Sequence, residues 1–571
     1  MAAATLALAG AAQAATTPTA PVYDEQGRLV QTPFAPPAGG ARLTVRQATA
    51  LFLADPKVAN WLTRYPDHPT TDAEFKGAAG DWTVRVWSGA AGEIALGKVD
   101  DSTGRVDEAW TGPQVAWKMA RGGKGAFGGR TLNKPAVWLA FCAIFLVGLF
   151  DWRRPLRLRN VDLLVLLSFT VSLRFFNDGD IFTSVPLAYP PMAWLLGRML
   201  WIGFRGAAES TSRPLWPAWL LAGVAVFLAG FKVGLNLEAP RSVIDVGYAG
   251  VIGAERIANG QMPYGHMPVQ GSLKPCGAAD AEGEIRERIQ TNGRCESSND
   301  RGDTYGPVSY LAYVPGYLAF GWSGKWDRLP VAHATSILFD LLAMAGLALV
   351  GWRFGGAWLA AALGFAWAAY PFTQYVSNAN TNDAIMPVFL IWGFWLASSA
   401  WARGAAVALA GWTKFGALLC APLWLSYPDG WTWPRARRYA VGFVVATVAA
   451  FSILLLEPDP LHAARVFAER TFGFQLDRES PFSLWDWRQY HAAGIPDLHR
   501  VQQALELAVV ALAGAVAFLP QRKGPLELAA LTAAVLLGFE LVLTHWFYLY
   551  IPWFFPFVAA ALFLPGRREP A

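Results

Sequence analysis

The chain has 571 residues, of which 54% are hydrophobic, 14% aromatic and only 16% charged. That balance is too apolar for an ordinary soluble enzyme and reads as a polytopic membrane protein. The formal net charge of +5 does not point to nucleic acid, because the arginines gather in short groups between apolar runs, as they do in cytoplasmic loops.

The opening residues MAAATLALAGAAQA (1–14) pair a short apolar core with an Ala-Gln-Ala ending like a secretory cleavage site, although the usual basic segment is missing. Export of the N-terminus is expected. Residues 15–41, rich in Pro, Ala, Gly and Thr, read as a linker. From LTVRQATALFLADPKVANWL the pattern turns helical, and WTVRVWSG, EIALGKVDD and GRVDEAWTG then predict short strands, with Asp-Ser-Thr-Gly as a turn. A small α+β domain outside the membrane is expected over 42–118. Across those residues the pattern resembles a PepSY-type module, which implies packing or docking without catalysis.

After MARGGKGAFGGR the apolar runs begin, and a spanning helix needs roughly twenty such residues. Candidate spans are 135–151, 161–177, 183–203, 215–235, 329–351, 356–376 and 384–401. A short pair follows at 403–413 and 415–427, then 438–456, 500–519, 525–543 and 548–565. The pair is too short for two ordinary crossings, and a dip that turns back leaves the later orientation unchanged. The basic groups are Arg153, Arg154, Arg157 and Arg159; Arg205 and Arg213; Arg353; Arg403; Arg435, Arg437 and Arg438; Arg522 and Lys523; Arg567 and Arg568. All fall on one side when about thirteen spans alternate from an outside N-terminus. The fold class expected is therefore an all-α polytopic membrane protein with a small N-terminal extracytoplasmic α+β domain.

Two long polar connections, 236–328 and 457–499, then share the outer face with NANTND (378–383) and the Thr544-His545-Trp546 turn. Polar groups converging beside an amphipathic stretch, YGPVSYLAYVPGYLAFGW, indicate an active site open to lipid and exterior. Of the four cysteines, Cys142 and Cys420 lie in apolar runs as buried thiols, whereas Cys276 and Cys295 share the first outer loop. There a disulfide is expected, with free thiols and metal binding as the alternatives.

Asp245 stands where the chain leaves span 215–235, in RSVIDVGYAGVIGAERIANGQMPYG. It could cap a helix, or take a proton from an acceptor hydroxyl while the donor's lipid stays in the bilayer. The order of Asp245, Tyr248, Gly260, Pro263-Tyr264, Tyr305-Gly306-Pro307 and Phe320-Gly321 after that span resembles the C superfamily of integral-membrane glycosyltransferases. It is most similar to the family-87 polyprenyl-phosphate-sugar-dependent transferases, and more distantly to lipid A aminoarabinose transferases, over 214–565. The resemblance implies a GT-C-like fold, a catalytic base at Asp245, and donor contacts from Tyr248 and Tyr264. Spans 135–213 lie outside it.

Asp383, in NANTND, resembles a second acidic position of such enzymes, a helix cap being the alternative. Asn378, Asn380 and Asn382 are potential sugar partners in a loop where asparagine is ordinary. Lys414, where the short pair turns back, resembles a Thr-Lys turn that faces the donor phosphate; between apolar arms a lysine must snorkel or meet an anion. RTFGFQLDRESPFSLWDW supplies Arg470, Gln475, Asp477, Arg478 and Ser480, of which Arg478 suits a phosphate held by two parallel hydrogen bonds. Packing of that loop on the membrane is the alternative. His545 is either an interfacial residue or a donor contact by the same resemblance.

No HExxH, GxGxxG, Walker or CxxC motif occurs. No cofactor is expected, and a divalent metal is neither supported nor excluded. The resemblance implies an inverting glycosyltransferase of the plasma membrane that moves mannose or a pentose from a polyprenyl-phosphate-linked sugar to an envelope glycan or glycolipid. A transporter or lipid flippase, and a non-catalytic assembly scaffold, are the rival classes.

Overall fold

A computed structural model of the chain describes residues 22–23, 29–31 and 40–566, except 78–79, 89–91, 112–114, 116–126, 179–180, 207–214, 241, 270–272, 279–286, 291–292, 300, 326–327, 474–482 and 486–497. The signal segment expected at 1–14 and Arg478 lie outside the described residues. Within the expected linker, β1 (Val22–Tyr23) and β2 (Leu29–Gln31) pair as an antiparallel ribbon.

Thr44 starts helix α1 (Val45–Ala54) with a reciprocal cap. Its Oγ1 accepts the Gln47 N–H at 3.3 Å, and the Gln47 side chain accepts the Thr44 N–H at 2.9 Å. Asp55 caps α2 (Pro56–Leu62) from the other side of a one-residue break. Four antiparallel strands follow in meander order: β3 (Thr70–Lys76), β4 (Asp81–Ser88), β5 (Gly92–Asp100) and β6 (Val106–Thr111). Trp82, Val84 and Val86 alternate onto one face of β4 and pack with Phe52 and Val58 of the helices. Gly97 admits that contact, since a Cβ there would lie 2.1 Å from the Phe52 ring.

The unit closes through Asp101. Its carboxylate accepts the backbone N–H groups of Arg42 (2.6 Å) and Leu43 (2.8 Å) and the Trp82 indole N–H (2.7 Å). Burial pushes the Asp101 carboxyl up, but these donors outweigh it and hold the group below the usual carboxylate range.

The remainder is helical: α3 (Pro135–Leu149), α4 (Leu158–Asp178), α5 (Ile181–Arg205), α6 (Ala218–Glu238), α7 (Asp245–Ala258), α8 (Pro307–Leu311), α9 (Val314–Phe320), α10 (Pro330–Ala369), α11 (Pro371–Ala379), α12 (Ile385–Trp395), α13 (Ala400–Gly411), α14 (Ala421–Ser426), α15 (Trp433–Phe451), α16 (Pro460–Ala468), α17 (His499–Phe518), α18 (Pro525–Val542) and α19 (Ile551–Phe563). Against about thirteen expected spans, five helices among the described residues are long and apolar enough to cross a membrane by length and composition: α6, α10, α15 with its extension to Leu456, α17 and α18. Of the other long helices, α4 carries Arg159, Asp162, Arg174 and Asp178, and α5 contains Pro186, Pro190 and Pro191; the rest are shorter. The expected spans 329–351 and 356–376 are the two arms of α10 and the start of α11. The arms fold against each other at Gly356 (φ 76°), where Gly351 meets the backbone of Leu359 and Ala360. Pro371 then opens α11.

The short pair turns back as expected. Arg403, at the start of α13, donates to the carbonyls of Trp424 and Tyr427 at 2.8 Å each and to that of Ala397, so both ends of the pair meet at one level. α15 then runs parallel to α13, with Trp412 bonded to Thr447 at 2.8 Å near the far end of both. Their backbones touch: a Cβ on Gly404 would lie 2.0 Å from the Tyr439 carbonyl oxygen, and one on Gly442 would lie 2.0 Å from that of Trp401.

The depressed Asp101 pKa fixes a sign. Its stabilisation is complete above the unfolded carboxyl value of about 4 and is lost as pH falls through the folded value. Hydrogen exchange over 42–55, corrected for intrinsic rates, is therefore expected to lose protection below about pH 4 in the wild type, and Asp101→Ala to lose roughly 1–3 kcal/mol of it at neutral pH.

Candidate functional site

The first polar connection packs apolar residues such as Val251, Ile252, Met262 and Tyr310 into the main core and adds a charge network beside them. Arg256 pairs with Glu255 at 2.7 Å and Glu296 at 3.0 Å, and Arg294 pairs with the same two carboxylates at 2.9 and 3.0 Å. Burying Glu255, Arg256 and Glu296 is tolerable because each meets an opposite charge, the exposed Arg294 closing the network from the solvent side. Beside the network, β7 (Glu287–Ile289) pairs with β8 (Cys295–Ser297), and Cys276 is joined to Cys295 in a disulfide with Cα atoms 5.9 Å apart. The free cysteines behave differently: Cys420 is buried, whereas Cys142 is partly exposed beside Thr170.

The second connection is fastened to the first through Asp303. This buried carboxylate receives two bonds from the Arg470 guanidinium, at 2.7 and 2.6 Å, and one from the Gly265 N–H at 2.8 Å. Sequence reading lists Arg470 but not its partner, and Asp303 in NDRGDTYG has no pattern to mark it.

Four separate stretches then meet at one cavity of about 520 Å³. Thr304 and Tyr305 come from the first connection, Phe472 from the second, Thr413 and Lys414 from the turn of the short pair, and Thr544 and His545 from the turn after α18. The rest of the lining is largely apolar and comes from α17, α18, the turn after Lys414 and the Tyr550–Trp553 segment, with one acid, Glu506 of α17, among it. Lys414 is buried, with its ammonium 3.0 Å from Asp383 Oδ1. It also stands 4.5 Å from the ring centre of Tyr305, 5.9 Å from that of Tyr550 and 5.7 Å from that of Trp553. The lysine does not snorkel; an acid and aromatic faces hold it inside.

Asp383 occupies a short 3-10 turn, Asn382–Ala384, and accepts a hydrogen bond from Thr381. Asn378 and Asn380 of NANTND are engaged internally rather than displayed, whereas the buried Asn382 leaves Oδ1 without a hydrogen-bond partner among the described residues. Asn378 donates to the Gly128 carbonyl at 3.0 Å, Asn380 donates to that of Ser242 at 2.7 Å and accepts from Asn236 at 2.8 Å. Asn380 takes the left-handed conformation (φ 52°), which asparagine tolerates.

Asp245 is the first residue of α7. The cap position falls on Ile244, with no side-chain cap bond. The helix start is docked onto the NANTND turn: the Ile244 N–H bonds the Ala379 carbonyl at 3.1 Å, and Gly247 lies against the Asn380 carbonyl. Asp245 and Asp383 thus sit on two elements in direct contact, although Asp245 does not line the 520 Å³ cavity. Tyr248 and Tyr264 do not line it either. Both are fully buried, with hydroxyls donated to the carbonyls of Ser297 (2.6 Å) and Tyr305 (3.0 Å), so they support the connection from within.

Sequence reading misses Glu540. This buried acid of α18 accepts the Trp546 indole N–H at 3.0 Å through Oε2, while Oε1 has no hydrogen-bond partner among the described residues. Asp383 is close enough to act on it electrostatically. An acid inside GPLELAALTAAVLLGFELVL is itself a signal, because intramembrane carboxylates are costly and rarely idle. Among the described residues, no group of three or more His, Cys, Asp or Glu side chains is placed to hold a metal.

No family model matches the sequence, and no curated protein does. The crystal structure of ArnT from Cupriavidus metallidurans bound to undecaprenyl phosphate is similar over 60% of this chain, at 18% identity and a TM-score of 0.38. The match spans 58% of that protein. At this level the likeness establishes neither the fold nor the activity of this chain.

Breaking a buried ion pair on one side strands the other charge. Lys414→Met or Asp383→Leu alone is expected to destabilise the protein by about 3–5 kcal/mol, and the double variant by clearly less than the sum. A double-mutant cycle on thermal unfolding in detergent checks the coupling.

Proposed function

We infer that the protein is a membrane-embedded, inverting glycosyltransferase whose donor is a sugar carried on a polyprenyl phosphate. The observation that carries this reading is the 520 Å³ cavity. It combines a long apolar wall from α17 and α18 with a buried ammonium, Lys414, at the point where two polar connections and the His545 turn converge. A lipid phosphate has that shape and charge: an isoprenoid chain needs the apolar wall, and its phosphate needs a cation sheltered from water.

In this mechanism Lys414, oriented by Asp383, stabilises the charge that develops on the departing phosphate. His545 lines the same space and contacts the donor, and Arg478 joins Lys414 on the phosphate. Asp245 takes the proton from an acceptor hydroxyl. The oxygen forms a bond to the anomeric carbon from the face opposite the phosphate as the carbon–phosphate oxygen bond breaks, leaving inverted product and the polyprenyl phosphate. The sequence resemblance favours the family-87 type, mannose or a pentose as the sugar, an extracytoplasmic site, and an envelope glycan or glycolipid as acceptor. The PepSY-like unit over 42–118 would serve docking.

A transporter would be expected to present ionisable groups along a path near the midplane. Lys232 and Asp340 form such a pair at 2.7 Å between α6 and α10. It is closed in on itself: Asp340 also accepts the Trp367 indole N–H at 2.9 Å, and the pair lines neither of the cavities described for this protein.

Purified protein incubated with radiolabelled polyprenyl-phosphate sugars and a cell-envelope extract is expected to transfer the label. Asp245→Asn is expected to slow transfer by roughly 10² to 10⁴-fold with donor binding retained, and Lys414→Met to weaken donor binding as well. Unimpaired transfer by Asp245→Asn removes the base; lipid scrambling without transfer favours the transporter.

A further inference from the structure

A second cavity, of about 600 Å³, lies at the other end of the short helix pair, away from the Lys414 turn. α13 has 12 residues and so separates the two ends by about 18 Å. The lining includes Arg353, Arg403, Arg435 and Arg438 with Ser398, Ser399, Thr432 and Tyr427, and no carboxylate. Asp429, itself well exposed, stands 3.9 Å from Arg435.

The arginines divide the work. Arg403 is consumed by the carbonyls of Ala397, Trp424 and Tyr427 and forms the floor. Arg353 is directed by the Trp395 carbonyl and by Ser398 Oγ at 3.0 Å. Arg435 has one long bond, 3.3 Å to the Gly430 carbonyl, and Arg438 is exposed at the mouth. The first turns of α13 and α15 open onto the same space. Ser399 caps the first, whereas Thr432 makes no side-chain cap bond to the second, whose first turn offers the N–H groups of Trp433 and Arg435, Pro434 having none. Trp401 in the lining and Trp431 and Trp433 beside it are 50%, 62% and 68% exposed. Exposed indoles at this position mark the headgroup level of a bilayer.

We propose that this cavity binds the phosphate of an anionic membrane phospholipid, with Arg435 and Arg438 as its ligands and the tryptophans as the rim against the acyl chains. Guanidinium forks match phosphate oxygens in pairs, and basic pockets between spanning helices at the headgroup level suit that chemistry. The site is independent of the glycosyltransferase reading. It shares no lining residue with the Lys414 cavity.

The test is native mass spectrometry of the purified full-length protein titrated with phosphatidylglycerol, phosphatidylcholine or inorganic phosphate. Phosphatidylglycerol is expected to bind at least tenfold more tightly than phosphatidylcholine, and Arg435→Gln/Arg438→Gln to lose about tenfold or more of that affinity. Arg435→Lys/Arg438→Lys is expected to keep most of it, and Arg153→Gln, in another basic group, all of it. Unchanged affinity in the glutamine pair, no preference for the anionic lipid, or an equal loss in Arg153→Gln overturns the site. Displacement of the lipid by millimolar inorganic phosphate overturns the lipid as its source.

Discussion

A chain that enters a bilayer and turns back leaves carbonyls and N–H groups that lipid cannot satisfy. Residues 400–427 reverse direction, and carbonyls are met at both ends, at the turn by the Val308 N–H and the Ser309 hydroxyl, which bond those of Trp412 and Thr413. Arg403 gathers three carbonyls where the pair begins and ends. At the far end, Lys414 is held by Asp383 and by aromatic faces while the chain reverses into a 3-10 turn, Phe415–Cys420. Remove the polar reversal and there is no ledge from which a cation could enter the 520 Å³ cavity.

A second polar layer carries the acids. The NANTND turn is wired into α6 and the start of α7 through Asn236, Asn380 and Ser242, and His333 extends the same layer with 2.8 Å to Asn236. Side chains that could have been displayed to a sugar instead fix the position of two carboxylates relative to one another. The salt network of Glu255, Arg256, Arg294 and Glu296 does the same on the other flank of α7. Asp245 thus begins a helix pinned at both ends, a rigidity that the proposed proton-transfer role requires.

Much of this was legible in the sequence, and the reasons differ by residue. The return of the short pair followed from its length, since 403–413 and 415–427 cannot each span a bilayer. Lys414 stood out because a lysine between apolar arms demands an explanation. Other features needed the third dimension. Arg403 looks like any loop arginine, and only its neighbours in space show that it serves carbonyls. Asp303 and Arg470 are separated by 167 residues and share no pattern. Tyr248 and Tyr264 are expected as donor contacts through the resemblance alone, yet a tyrosine hydroxyl can equally find a backbone carbonyl in the interior, as both do. Glu540 was readable but overlooked, its apolar surroundings hiding the cost of placing an acid there.

The glycines of α13 and α15 have a mechanical consequence. Where Gly404 and Gly442 let two backbones touch, neither helix can shift without a steric clash, so that flank of the Lys414 turn behaves as an anvil. The opposite flank is α17, of which only Gln502, Val509, Ala513 and Val516 are buried. Any change in the girth of what enters would be taken up by that outer helix swinging away, with the cation and its acid staying put.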